Sequence, residues 1–413
     1  MPQTDPVETP AATTTHHLFD VFGVELEYMI VDANSCDVRP ICDELLRVAA
    51  GGIVSEIEMG RLAWSNELAL HVVELKTNGP ASALSGLEDA FHADVVRINQ
   101  TLAQWGARLM PSAMHPWMNP DREMRLWPHE YNPVYEALNR IFDCRGHGWA
   151  NLQSAHLNLP FYGDDEFARL HAAIRLVLPI LPALAASSPA MNGQFTGILD
   201  NRLEVYRTNS SRIPEITGAV IPEPVYSALE YERQVLEPIY RAIAPHDPEG
   251  TLQHEWLNAR GAIARFDRGA IEIRVLDVQE CPAADLAICQ GVVHLLRALT
   301  TERWTGSGEQ QTLPTLELAE IFNGCVREAH RYRISHERYL RQLGIAQRHC
   351  TAGEVWHQAL VGLSPLPPAL QLILEQGPLA QRMVQAVESG HYSLRTLAAE
   401  LCDSLSQNRM FTN

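Results

Sequence analysis

Residues 22–31 read FGVELEYMIV, a stretch whose pattern recurs along the chain. Apolar and polar residues alternate and β-formers dominate, so it predicts a strand. Residues i and i+2 of a strand project from the same face. Glu25 and Glu27 therefore stand side by side, with Val24, Leu26 and Tyr28 on the other face. A solvated strand face explains one such pair, but the arrangement recurs. The stretch LQSAHLNLPF (152–161) predicts a strand with His156 and Asn158 on one face and Leu157 and Leu159 on the other. IARFDRGAIEIRVLD (263–277) predicts two strands around Asp267–Gly269, the second placing Glu272 and Arg274 together between Ile271, Ile273 and Val275. LALHVVELK (68–76) predicts another strand, which carries Glu74. Glu67 lies seven residues before Glu74, an odd separation that puts the two on opposite faces of an unbroken strand. Either a bulge intervenes or Glu67 sits on the preceding loop.

If these strands share a sheet, its polar face collects Glu25, Glu27, Glu74, Glu272 and His156, with Glu67 a candidate to join them. Carboxylates that close repel one another unless cations are bound among them. Oxygen-rich ligation with one imidazole suits Mg²⁺ or Mn²⁺ better than zinc.

Outward from these strands the pattern is helical. Helices are expected over 42–50 (stopped by Gly51-Gly52), 81–105, 135–143, 164–178 and 283–299, with a proline-interrupted buried helix over 179–189. Residues 107–133 read as a loop dense in Pro, Trp and His, and Trp117, Trp127 and Trp149 are either buried loop aromatics or pocket walls. Residues 191–224, rich in Gly, Asn and Arg, read as a long irregular stretch of the kind that covers substrates. From residue 313 the pattern is helical to the end. The expected division is a disordered lead over 1–17, a catalytic domain over 18–300, and a helical region over 301–413 packed on it. The fold class is α+β with a largely antiparallel sheet and helices on one face; no glycine-rich phosphate turn marks a parallel nucleotide fold.

The charge balance limits the function. Among 413 residues, 50 are acidic and 32 basic, a net charge of −18 that disfavours nucleic acid and anionic membrane as partners. A hydrophobic fraction of 46% supports a large core and excludes a mainly disordered chain. Eight scattered cysteines without a C-x-x-C pair read as reduced thiols of a cytoplasmic protein. No signal peptide or membrane span is expected. The arginines at 327, 331, 333, 338 and 341 read as a solvated face, a packing layer or a self-association stripe, leaving a homo-oligomer open.

The segments GVELEYMIVD (23–32), NELALHVVELKTNGP (66–80), AHLNLPF (155–161) and AIEIRVLD (270–277), in this order, resemble the glutamate–cysteine ligase type 2 family and related carboxylate–amine ligases. The likeness spans roughly residues 20–300, with support from SAMHPW (112–117), LAASSPAMNG (184–193) and SSRIPEITG (210–218). It implies a glutamine-synthetase-like fold, in which a curved antiparallel sheet carries ATP, divalent metal and an amino-acid substrate on one face. Position by position, it implies metal ligation by Glu25, Glu27, Glu67, Glu74 and Glu272, and a metal- or nucleotide-side role for His156. It places Arg274 against the transferred phosphoryl group, with Glu27 beside it in catalysis, and gives Arg212 a substrate carboxylate to hold. Two departures fall where substrates bind. Asn158 stands where many relatives have a second histidine, and the segment 258–268, which includes Arg265, is unusually rich in arginine. Asn158 and Arg265 are therefore expected to touch substrate. The implied reaction is ATP-driven γ-glutamyl amide formation through an acyl phosphate, with Mg²⁺, from an amino-acid carboxylate and an amine. The alternatives are a divalent-metal phosphohydrolase on the same carboxylates, or a nucleotide-binding protein that has lost turnover.

Overall fold

The computed structural model describes residues 15–412, so most of the expected disordered lead lies outside the described residues. Its main sheet is built from β1 (Gly23–Asp32), β2 (Glu56–Glu58), β3 (Leu62–Asn66), β4 (Val72–Thr77), β5 (Ala107–Met110) and β6 (Ser154–Pro160). After a two-residue hairpin, β7 (Ala190–Met191) and β8 (Gln194–Phe195), come β9 (Ala262–Arg265) and β10 (Ala270–Asp277), which complete it. The order is β2-β3-β4-β1-β6-β10-β9, and every pairing is antiparallel. β1 is central: it meets β6 through residues 23–26, β4 through 25–29 and β5 through 29–32.

Alternation along these strands divides the sheet into two unlike faces. Val24, Leu26, Leu75, Leu157 and Ile273 are fully buried, in one cluster with Phe91, Val95, Leu170, Ile174, Val292 and Leu296. Those partners belong to the helices Leu87–Leu102, Gly163–Val177 and Pro282–Thr300. Burying each such side chain contributes about 1.5–3 kcal/mol, which fixes which face of every strand turns inward. The helix Pro282–Thr300 has the length and hydropathy of a membrane span, but it is largely buried among its neighbours, as a core helix is.

The other face carries the charged residues, and only part of it is open. Beyond Glu27, Met29 and Val31 lie against Ala398 and Cys402 of the C-terminal helix Leu394–Gln407. The helices after residue 301 are joined to the sheet-bearing part by buried polar contacts. Arg382 pairs with Glu280 at 2.7 Å with both side chains buried. Tyr339 Oη donates to the carbonyl of Leu176 and Trp356 Nε1 to that of Ile180, each at 2.8 Å. All eight cysteines are buried free thiols.

Several elements differ from the sequence expectation, each for a readable reason. The strand expected from residue 68 starts at Val72, because residues 68–70 bond elsewhere: Leu70 N donates to Arg125 O and Trp127 N to Leu68 O. Residues 107–110, expected as loop, are a strand because they pair with the end of β1. The helix expected from residue 81 starts at Leu87, after Gly86 turns the chain through φ 78°. Within the expected irregular stretch, Asn201–Asn209 is a helix, capped by Asp200, whose side chain accepts from Leu203 N. The expected arginine stripe breaks at Arg333–Ile334, which pairs as a strand with Cys350–Thr351.

Candidate active site

Strand register assembles the charged face. Glu27 lies opposite Glu74, and Glu25 lies opposite Lys76 on one side and His156 on the other. Asn158 lies opposite Gly23 and Glu272. Opposed residues in an antiparallel ladder share a face with Cβ atoms roughly 5 Å apart. A Cβ at Gly23 would stand 2.9 Å from Asn158 Cβ, so the close approach of β6 to β1 requires glycine there. Between Ile273 and Leu276 the register of β10 slips against β6, a bulge that contains Arg274. Glu67 follows the last residue of β3, on the loop before β4.

The contacts are dense. His156 Nδ1 meets Glu25 Oε2 at 2.8 Å and His156 Nε2 meets Ser154 Oγ at 2.9 Å. Ser154 also donates to Glu27 Oε2, from its backbone N at 2.7 Å and its hydroxyl at 3.1 Å. With that hydroxyl donating to Glu27, the imidazole donates at both nitrogens and is charged. Burial alone would lower its pKa; the bond and charge of Glu25, with Glu27 and Glu272 behind, push it up to about 9. Burial likewise works to raise Glu25, and His156 overrides it, holding that carboxyl down at about 2. Both ring nitrogens are thus engaged, and His156 here grips Glu25 instead of offering a free lone pair.

The remaining carboxylates are less compensated. Glu74 accepts from Ser65 Oγ at 2.6 Å and from Lys76 Nζ at 3.2 Å, yet burial and the charge of Glu25 raise it to about 7. Burial and the charges of Glu27 and Glu74 raise Glu67 well above the carboxylate range. Among the described residues Glu67 makes no ion pair. One oxygen from each of Glu27, Glu67 and Glu74 lies within 4.8 Å of the others; a ring nitrogen of His156 lies as close to oxygens of Glu25 and Glu74, but both its nitrogens are already engaged. Buried oxygen donors that repel one another fit a hard divalent cation. Beside them, Arg274 Nε pairs with Glu272 Oε1 at 2.9 Å, and Arg265 Nη1 stands 3.9 Å from Glu272 Oε2. Asn158 Nδ2 donates to Glu25 Oε1 at 3.0 Å.

Two cavities meet at this cluster. One of about 990 Å³ lies over the sheet, its wall carrying Lys76, Asn158, Arg265, Arg268 and the carboxylates. The other, of about 560 Å³, has aromatic walls, and Glu27, Glu67, His156, Trp256 and Arg274 line both. The structure thus brings together the expected residues Glu25, Glu27, Glu67, Glu74, Asn158, His156, Arg265, Glu272 and Arg274. It does not bring Arg212 to them. Arg212 is exposed and lines neither cavity, because its Nη1 donates at 2.7 Å to the carbonyl of Ile141, in the last turn of the helix Asn132–Phe142. Sequence reasoning missed Arg202, whose Nη1 pairs with Asp277 Oδ1 at 3.1 Å in the floor of the second cavity. Asp200 as a helix cap, two residues earlier, was the signal for it. Of the three singled-out tryptophans, Trp149 lines the second cavity; Trp127 is buried in the core, and Trp117 packs under Arg395.

The sequence model of glutamate-cysteine ligase family 2 matches residues 21–400 of this fold. The chain belongs to that family. An uncharacterized protein of Archaeoglobus fulgidus is 32% identical over 393 residues, covering 95% of this chain and all of its own. A Rubrobacter xylanophilus protein with the provisional name glutamate–cysteine ligase 2-3 is 28% identical over 275 residues, 65% of this chain and 67% of its own. Among solved structures, a glutamate–cysteine ligase from Francisella tularensis in complex with AMP superposes with TM-score 0.58 at 11% identity, over 94% of this chain and 88% of that one. A bifunctional glutathione synthetase from Pasteurella multocida gives 0.54 at 16%, this chain spanning 52% of its length. These likenesses show the fold of a glutamate–cysteine ligase, an open antiparallel sheet with helices, and family membership makes the chain a carboxylate–amine ligase of glutamate–cysteine ligase type.

Proposed function

We propose that this ligase uses ATP to convert the side-chain carboxylate of glutamate to an acyl phosphate and passes the acyl group to an amine. One observation carries the reading: two cavities of unlike chemistry meet at a single set of carboxylates and one arginine. The first is polar and charged, with Lys76, Arg265 and Arg268 set among the carboxylates, so it would take a polyphosphate only together with the divalent cation those carboxylates fit. The second holds the partner whose atoms must reach the same point.

In such a reaction a carboxylate oxygen attacks the γ-phosphorus of ATP and ADP departs; the amine then attacks the acyl carbon and phosphate departs. Glu27, Glu67 and Glu74, with Glu25 and Glu272 adjoining, would hold Mg²⁺, which supplies neutralising charge for the phosphoryl group. The chain's own residues do the rest. Arg274, fixed by Glu272 and by the carbonyl of Asn258 at 3.3 Å, meets the charge that spreads over the transferring group. His156 and Ser154 keep Glu25 and Glu27 oriented, and His156 keeps Glu25 ionised. Glu27, which lines both cavities, is assigned the proton that the attacking ammonium sheds. Arg265 and Asn158 line the first cavity and are assigned to substrate contact there.

The test is ADP release with ATP, Mg²⁺ and glutamate against a panel of amines. The reading requires that release depend on both the acid and the amine; release indifferent to the amine would make the protein a phosphohydrolase.

A further inference from the structure

We propose, resting on the ligase reading above, that the second cavity selects an aromatic α-amino acid as the amine substrate. Three features of the cavity carry this.

Its walls are flat, apolar and already fixed. The Trp149 ring stacks on Phe142 with centroids 5.3 Å apart and planes at 22°, and its Nε1 donates to the carbonyl of Asn209 at 3.1 Å. Trp256 stacks on His254 at 5.8 Å and 17°, and Tyr135 Oη accepts from Asn66 Nδ2 at 3.0 Å. Rings held this way lose little freedom when a ligand slides between them, so their contact area is available to binding.

Its size exceeds what a small amine fills. About 560 Å³ is space for a ring and its substituents, in the range of ordinary ligand sites. A three-carbon thiol amine would leave those walls wet.

Its floor has one donor without an acceptor. Arg202 is 2% exposed. Its Nη1 is taken by Asp277 and its Nη2 by the carbonyl of Arg274, while its buried Nε meets no partner. Arg202 nevertheless lines the cavity, and a ligand carboxylate there would meet the guanidinium N–H groups that Asp277 and the Arg274 carbonyl leave over. Since Arg202 is bonded to Arg274, a carboxylate held there brings the adjacent α-amine toward Arg274 and Glu27, where the acyl group is to be attacked. Side chain between the rings, carboxylate on Arg202 and amine at the shared wall describe an aromatic amino acid.

Isothermal titration of the full chain tests this without turnover. L-Phenylalanine, L-tyrosine and L-tryptophan, as a class, are expected to bind at least about tenfold more tightly than L-cysteine or L-alanine, the scale on which an apolar pocket discriminates. Phenethylamine, which lacks the carboxylate, is expected to bind at least about tenfold more weakly than phenylalanine. Trp149→Ala should erase the preference for phenylalanine over cysteine, and Leu138→Trp, which fills the cavity, should abolish phenylalanine binding while a non-hydrolysable ATP analogue still binds. Cysteine binding as tightly as all three aromatic amino acids, or phenethylamine matching phenylalanine, overturns the assignment. Aromatic binding with no ADP formation from glutamate and ATP instead overturns the ligase reading beneath it, and with it the substrate role.

Discussion

The guanidinium of Arg202 donates a 2.7 Å hydrogen bond to the main-chain carbonyl of Arg274. The bond ties the buried start of the helix Asn201–Asn209 to the bulge in β10, and Asp277, two residues past the bulge, holds the same guanidinium from the other side. Arg274 is therefore set by backbone geometry as well as by its ion pair with Glu272. In the proposed reaction, a cation held this firmly over the carboxylate cluster would act on the charge that develops on the transferring phosphoryl group.

Arg274→Ala is accordingly expected to lower kcat by on the order of 10²–10³, the loss typical of one transition-state donor, with a much smaller change in KM for ATP. Steady-state kinetics decide it. A defect confined to KM would assign Arg274 to ground-state binding.

Glu25→Gln and Glu272→Gln are each expected to weaken Mg²⁺–nucleotide affinity at least about tenfold. Each also lowers the unfolding midpoint, because it leaves the charged His156 or Arg274 without its carboxylate, so the titration is run well below that midpoint. Calorimetric titration of Mg²⁺–ATP analogue into each variant reads the result; unchanged affinity in both would refute the cation assignment.

Gly23→Ala is expected to destabilise the fold by about 1–3 kcal/mol, since the new methyl must push Asn158 away from a central strand pair. Urea unfolding measures it. The paired substitution Asn158→Gly, on Gly23→Ala, should recover part of the loss.

His171 gives a pH signature far from the site. Its ring stacks on Phe167 at 5.2 Å, beside Tyr226, Tyr231 and the Arg175 guanidinium. Burial first, and Arg175 second, lower its pKa from 6.5 to about 3. Between these values the unfolded chain binds a proton here that the folded chain does not. The stability that neutral His171 allows is therefore full above pH 6.5 and lost as pH falls toward 3. His171→Phe removes this titration, so its stability relative to wild type should rise with acid, by up to about 1.4 kcal/mol per pH unit. Parallel unfolding curves at pH 7 and pH 5 check the sign; a difference independent of pH would show that His171 takes up its proton in the fold as it does in the unfolded chain.

Much of this was legible in the sequence. β1, β6 and β10 showed themselves because one face of each is buried, which forces strict alternation, and the same alternation put Glu25, Glu27, His156, Asn158, Glu272 and Arg274 on one side. The parity of Glu67 and Glu74 left two options, and the pairing of residues 68–70 with 125–127 put Glu67 on the loop. What stayed hidden was non-local. β2, β3 and β5 are three to five residues long, and only their neighbours make them strands. Arg202 stayed hidden for the same reason: it lies with Arg212 in one polar stretch, and only the helix capped by Asp200 turns Arg202 inward. The bulge at Arg274 leaves no mark on the alternation of residues 271–275.

The most direct test of the central claim follows an oxygen atom. Glutamate carrying heavy oxygen in its side-chain carboxylate is incubated with ATP, Mg²⁺, the preferred amine and the enzyme, and the released phosphate is read by phosphorus NMR. Activation through an acyl phosphate predicts one heavy oxygen in each phosphate released, because the carboxylate oxygen that attacks the γ-phosphorus leaves with it. Phosphate released without label would mean that water, not the carboxylate, attacks ATP, and would contradict the account.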